Sequence, residues 1–430
     1  MLIFICSGYH SGPVKDVSIK GANVVTYFTG MPEQEFKNAT NATVEYNPKT
    51  GGYIIVLKPT IADQAQSGPF SCDENGNFIL TNRAKTAIYS AGQCETYTHE
   101  YLATNTKDYR ANKSGSVHIV VGSGSDKYTN IIELQHQAAL LGEKAAFLVA
   151  SDYDGIEAVS GHSDPSIDIY LGDPTQGPSA SFGCFAGALL RLYSQIRENK
   201  TVPTRFFDSK NPRVHMLKSD FLDTQNGYVY LNRDIVFDGD VEKFLENNHY
   251  SFSIMYHKNQ SVMVKNAEVS GERFKSFTSP AKIPEQTVDQ ILSAGLSLGM
   301  YKAGFMNGHG ASEAFVEAFA QKILFDIYDS SIRAAIKNKR KVVYLLPIGC
   351  GVFGNKKLWA GRALAKCKEL ILRSGITVKY IIPGLEKRAF ETIEEFNGFI
   401  DVIRKLAQET NGTYSEVVFD NNGQTLLKLQ

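Results

Sequence analysis

The chain has 430 residues, of which 43% are apolar, and its 45 Lys plus Arg balance 45 Asp plus Glu, so the formal net charge is zero. That balance argues against nucleic acid or an anionic membrane as partner; no stretch reaches the roughly 20 apolar residues of a membrane helix, and MLIFIC is too short and too poorly flanked for a signal peptide. Six scattered cysteines, with no CxxC pair and no neighbouring histidines, exclude a zinc cluster or disulfide lattice and lead us to expect a soluble, cytoplasmic chain of one large or two smaller domains.

Residues 1–112 are rich in Thr, Asn, Gly and Tyr, with β-type runs such as NVVTYF and GGYIIVLKP separated by turn clusters like NPKTGG. They predict a β-rich or α+β amino-terminal region to which no role is assigned. From residue 113 to 430 the texture changes. SVHIVV reads as a strand, NIIELQHQAALLG as a helix ended by Gly142, and KAAFLVAS as a strand. SFGCFAGALLRLYSQIRE predicts a helix, as do a stretch around 287–300 and a long one near 311–337 that leads into the strand KVVYLLP. After a glycine loop, LWAGRALAKCKELILRSG reads as a helix closed by Gly375 and ITVKYIIP as a strand. This alternation predicts an α/β fold with a mostly parallel or mixed sheet covered by helices on both faces. Ligands of such sheets bind beyond the carboxyl ends of the strands, which singles out the loops after FLVA and YLLP.

Gly349, Gly351 and Gly354 in LPIGCGVFGNKKLW spell G-x-G-x-x-G after a strand and before a helix, where a dinucleotide fingerprint would stand. The NAD-dependent oxidoreductase reading then fails two tests. ITVKYIIP ends in Pro383-Gly384, with no acidic residue closing that strand to hold a ribose, and only about 80 residues follow the glycines, too few for a complete dinucleotide fold. Phosphate chemistry survives, because glycines let backbone N–H groups approach an anion and the following helix offers its positive end. A second Gly/Pro-rich loop, DIYLGDPTQGPSASFGCFAGALLRLY, also runs into a helix that starts on small residues. Two such loops suit the two ends of an elongated phosphate compound.

Taken together, VVYLLPIGCGVFGN and DPTQGPSASFGCFAGALLRLY resemble the phosphate and ribose-side loops of a divergent branch of the macrodomain superfamily, the ADP-ribose-binding α/β modules. KAAFLVASDYDGIEA resembles the strand and loop that precede T-Q-G-P in that branch, and NGYVYLN a short motif between the two loops; the likeness spans about residues 113–390. Some bacterial effectors of the branch are ADP-ribosyl hydrolases acting on ADP-ribosylated ubiquitin. The resemblance therefore implies ADP-ribose as ligand, no cofactor and no metal, and removal of ADP-ribose from modified protein, ubiquitin included; an effector would reach a host cytosol without a classical signal peptide. It also implies that Gly349, Cys350, Gly351, Val352, Phe353, Gly354 and Asn355 wrap the diphosphate, with Phe353 on the distal ribose. Thr175, Gln176, Gly177 and Ser179 would line the other side with Ser151 and Asp152, and Asp126 in VVGSGSDKYTN would bond adenine.

The sequence departs from the family in lacking the Asn-Ala-Asn stretch, where VASDYDG stands, and the Glu-Glu pair of poly(ADP-ribose) glycohydrolases. Cleaving a glycosidic bond to ADP-ribose calls for a carboxylate to protonate the leaving group or to align water. Asp173, which opens the TQGP loop, Asp154 and Glu313 are the candidates carried forward, with a turn cap as the competing role for Asp173 and a solvated helix face for Glu313. His309 reads as a loop histidine and Cys350 as a small packed residue. A non-catalytic ADP-ribose or nucleotide binder is the alternative function.

Overall fold

A computed structural model describes residues 23–57, 68–85, 87–124, 126–155, 180–196, 204–205, 216–225, 227–231, 239–262, 264–266, 276–277, 287–298, 313–385, 390–420 and 425–430. Burial along each strand follows its place in the sheet. Ala145–Ala150 and Val342–Leu345 are buried at nearly every position, as strands covered on both faces must be. Ser116–Gly122, nearer one edge, alternates buried and half-buried residues.

These strands join one mixed sheet. Thr413–Phe419, Ser116–Gly122, Thr377–Pro383, Val342–Leu345, Ala145–Ala150 and Thr287–Ser293 lie side by side in that order, every neighbour parallel. Ser251–Ser261, Ile88–Thr98, Gly52–Leu57 and Ala42–Asn47 then extend it antiparallel, while Thr425–Leu429 pairs antiparallel with Thr413–Phe419 at the opposite edge. The boundary expected at residue 112 separates no sheet, because the amino-terminal strands are hydrogen-bonded into the same one through Ser251–Ser261. The helix His99–Thr106 likewise docks on Glu313–Lys337, with His99 Nε2 2.8 Å from Asp329 Oδ2 and Arg333 Nη1 donating to Thr106 Oγ1 at 2.8 Å.

Helices cover both faces, as expected. Asp289 and Gln290, successive on one strand, show this directly. Asp289 is fully buried on the face of the Glu313–Lys337 helix, accepting from Arg340 just beyond that helix, from Tyr256 Oη and from the Asn259 amide at 2.9 Å. Gln290 points the other way, where its Nε2 donates to Gln135 Oε1 at 2.8 Å on the helix Ile131–Leu140. A buried charge is tolerated only when paired and hydrogen-bonded, and both polar residues meet that condition.

Two local readings are overturned. The stretch around 287–300 holds the strand Thr287–Ser293 rather than a helix, because its polar pair finds partners on opposite faces of the sheet, as period-2 geometry provides. Within NVVTYF, Asn23–Thr29 is a helix instead of a strand. Val25 and Phe28 are buried one turn apart, and Thr29 Oγ1 donates back to Val25 O at 2.6 Å, so packing overrides the β-preference of the valines. The helix expected at LWAGRALAKCKELILRSG is two segments, Lys357–Lys366 and Lys368–Ser374, which end at Gly375 with φ +68°.

Candidate functional site

Because the central strands are parallel, the segments that leave their carboxyl ends gather along one edge of the sheet. Val342–Leu345 runs into the glycine loop. Gly349 and Gly354 take φ of +72° and +73°, a conformation that glycine enters without a Cβ penalty. Gly354 N–H donates to Gly351 O at 3.0 Å and Asn355 N–H to Gly349 O at 3.0 Å, folding the loop back upon itself. Among the described residues, Gly351, Val352 and Phe353 donate their N–H groups to no protein acceptor. A Cβ placed at Gly351 would meet nothing within 4 Å, so the outer side of the loop is open. The helix Lys357–Lys366 follows with no side chain capping its amino terminus. An exposed run of N–H groups before the positive end of a helix is a place for an anion.

The loop is held from beneath by a segment that the sequence analysis did not single out. Gly295 to Leu298, leaving the strand Thr287–Ser293, lies buried against it: Asn355 Nδ2 donates to Leu296 O at 2.6 Å and to Gly349 O at 3.1 Å, and Leu298 N–H donates to Phe353 O at 2.6 Å. A Cβ on Gly295 would stand 2.9 Å from Gly349 Cα, so the two backbones touch only because both residues are glycine. The sole prior signal was the glycine in SAGLSL, which its reading as a helix obscured. Asn355 is therefore a brace, its amide N–H groups directed into the protein. Replacing it with Ala should cost about 1–3 kcal/mol by leaving the Leu296 carbonyl without this donor, which thermal unfolding will read; an unchanged melting temperature would remove the bracing role.

The loop after Ala145–Ala150 joins the same place. Ser151 N–H donates to Ser293 O at 2.9 Å, and the Oγ atoms of Ser151 and Ser293 are buried with no hydrogen-bond partner among the described residues. Asp152 Oδ1 accepts from Asp154 N–H at 3.1 Å, which makes it a turn-forming carboxylate, and Asp154 is 4% exposed. Gly227, at φ +76°, packs directly on Asp152, whose Cγ would lie 2.3 Å from any Cβ there. The next residue, Tyr228, places its ring 5.7 Å from that of Phe353. Asp152, Gly227, Tyr228 and Phe353 thus connect the two strand-end loops, and Gly227 and Tyr228 of NGYVYLN lie between them.

Other expected residues stand differently. Asp126 accepts from Ser123 and Tyr128 N–H groups at 2.8 and 2.9 Å and from Thr129 Oγ1 at 2.6 Å, so its carboxylate is occupied by its own turn. Burial opposes its ionisation, but the Thr129, Ser123 and Tyr128 hydrogen bonds outweigh burial and hold it below the usual range. Burial pushes the half-buried Cys350 thiol up to about 12, against the pull of Lys357, which favours its protonated form at neutral pH. Glu313 is exposed at the start of its helix. Asp173, Thr175, Gln176, Gly177 and Ser179, and His309, lie outside the described residues.

Beside the glycine loop a groove of about 760 Å³ opens between the helix Ile393–Glu409 and the strand ends, bounded by Gly122, Ser123, Gly384, Phe396, Arg404 and Tyr414. It adjoins the loop through Lys357, whose Nζ donates to Gly384 O at 3.1 Å, and Gly384 N–H donates in turn to Gly122 O. Arg404 lies 4.5 Å over the Tyr414 ring. No helix of the described residues is long and apolar enough to cross a membrane, and no group of metal-ligating side chains occurs among them.

No family model and no curated protein matches the chain. Among solved structures, poly(ADP-ribose) glycohydrolase from Deinococcus radiodurans in complex with ADP-ribose is similar over 73% of this chain and 94% of that one, at 11% identity and a TM-score of 0.37. The glycohydrolase of Thermomonospora curvata is similar over 78% and 93%, at 12% identity and a TM-score of 0.36. Likeness this remote does not define a fold, which here rests on the strand order itself.

Proposed function

We propose that the chain binds ADP-ribose through the glycine loop and hydrolyses the glycosidic bond that joins ADP-ribose to modified protein, ubiquitin being the candidate target named by the sequence resemblance. One observation carries the binding: the open outer side of Gly351–Phe353, with three N–H groups that donate to no acceptor among the described residues, set before a helix with no side-chain cap. A diphosphate answers both features, accepting several N–H donors and favouring the positive helix end. The flanking groove, with its Arg404–Tyr414 stack, has room for the adenosine half. The terminal ribose then falls towards Phe353, Tyr228 and the strand-end loop of Ser151 and Asp154.

Hydrolysis is the part that rests on resemblance together with available carboxylates; a binding module without turnover is the second reading. An effector role in a host cytosol has the same footing. Calorimetry with ADP-ribose, NAD and AMP, followed by incubation with ADP-ribosylated protein, separates these readings. ADP-ribose should bind more tightly than NAD, and NAD should support no hydride transfer. Gly351→Val should lower ADP-ribose affinity tenfold or more, about 1.4 kcal/mol, because its side chain fills the open side of the loop. Undiminished affinity in the folded variant removes this loop from the site.

A further inference from the structure

The entry of the glycine loop is held by a buried hydroxyl that lies outside every motif of the sequence. Leu346 O, the last carbonyl before Pro347, accepts from Ile348 N–H at 2.7 Å and from Tyr328 Oη at 2.9 Å. The first bond closes a three-residue turn around Pro347, whose ring fixes its own φ. Tyr328, on the helix Glu313–Lys337, is 0% exposed, as is Tyr380 on the strand Thr377–Pro383. Their rings meet edge to face at 6.1 Å, and the two hydroxyls lie 3.4 Å apart. A carbonyl can only accept, so the single proton of Tyr328 Oη goes to Leu346 O, and Tyr380 donates to Tyr328. Burial pushes both hydroxyls above their ordinary range, so both keep their protons. The helix is itself tied down close to Tyr328. Asp326 accepts from Tyr250 Oη and Lys322 Nζ, each at 2.7 Å, and Asp329 meets His99 Nε2 at 2.8 Å and Arg333 Nε at 2.5 Å.

We propose that Tyr328 is a positioning residue for the anion-binding loop, fixing its entry through Leu346 O as Asn355 fixes its exit through Leu296 O. The role rests on the ADP-ribose reading of that loop. From Leu346 the bonds run on to the open amides: Ile348 N–H to Leu346 O, Cys350 N–H to Pro347 O at 3.2 Å, and Gly354 N–H to Gly351 O at 3.0 Å. An anion gains fully from several N–H donors only when they already point together, because ordering a loose loop on binding subtracts its lost entropy from the affinity. A loop pinned at Asn355 alone could swing about that end. The second pin at Leu346 removes the swing before the ligand arrives. Phenylalanine at position 328 would keep the ring packing, but it would leave Leu346 O one donor short.

Three full-length proteins test this: the parent, Tyr328→Phe and Tyr380→Phe. The Tyr380 variant removes a buried hydroxyl from the same pair yet leaves Leu346 O its donor, so it reports the loss of a buried hydrogen bond away from the loop. In calorimetry Tyr328→Phe should lose about fivefold in ADP-ribose affinity, the worth of one hydrogen bond, while Tyr380→Phe keeps the parental value. Hydrogen exchange of the Ile348 amide should be about fivefold faster in Tyr328→Phe and parental in Tyr380→Phe. Parental affinity in Tyr328→Phe, or an equal loss in Tyr380→Phe, overturns the positioning role. Parental exchange at Ile348 in Tyr328→Phe overturns the anchor itself. If the parent binds no ADP-ribose, the ligand reading falls by itself, and the exchange arm still decides whether Tyr328 holds the loop entry.

Discussion

Gly349→Val is expected to lower ADP-ribose affinity by about 10² or more, a larger loss than at any other loop position, and to lower stability with it. Gly349 sits at φ +72°, where a β-branched residue is an outlier that costs about 1–3 kcal/mol. Its Cβ would also lie 2.8 Å from Asn355 Nδ2 and 2.9 Å from Gly295 Cα. The amide can rotate, but the Gly295 backbone belongs to a buried segment and cannot give way alone. Displacing it shifts Leu296 O and the carbonyl partner of Leu298, which are the contacts that hold the loop in shape. Gly351→Val, by contrast, meets open space and should weaken binding while sparing stability. Calorimetry and thermal unfolding of the two variants read the difference. Equal stability in both would show that the Gly295–Gly349 contact is dispensable, and full affinity in Gly349→Val would move the anion elsewhere.

The second large effect concerns turnover. Asp126 is saturated by its own turn, Asp152 holds the Asp154 amide, and Glu313 is exposed at the start of its helix, which leaves Asp173 and Asp154 as the carboxylates to test first. Asp173→Ala should reduce release of ADP-ribose from modified protein by about 10² or more while ADP-ribose binding stays within a few-fold, since acid or base assistance acts mainly in the transition state. Joint loss of binding and melting temperature would identify a turn cap. Full turnover in a stable Asp173→Ala, with a loss in Asp154→Asn, would transfer the role to Asp154, and an inactive parent would leave the binding-module reading.

Much of the molecule was readable in the chain because its signals are local. Asn130 caps its helix by accepting from the Ile132 and Glu133 amides, and Gly142 and Gly375 end helices at positive φ, each a property of a few adjacent residues. The alternation of elements from Ser116 to Pro383, and burial on both faces at Ala145–Ala150, follow likewise from runs of side-chain type. The glycine loop was recognisable because two of its residues, Gly349 and Gly354, take positive φ angles that favour glycine.

Other features have no local signature. A seven-residue run with Asp and Gln at its centre suits a strand or a helix, and Thr287–Ser293 became a strand because Arg340 and Gln135 wait on opposite faces. Asn355 looks like one more loop polar group until Leu296 O is seen beneath it. By itself, then, the sequence determined where the chain turns, where helices stop and which loop can face an anion, since those depend on the steric limits of neighbouring residues. Which polar groups face inward, and that Gly295 packs on Gly349 and Gly227 on Asp152, were decided only by tertiary structure, because each depends on a contact between residues far apart in the chain, whose worth appears only once burial has removed water as the alternative partner.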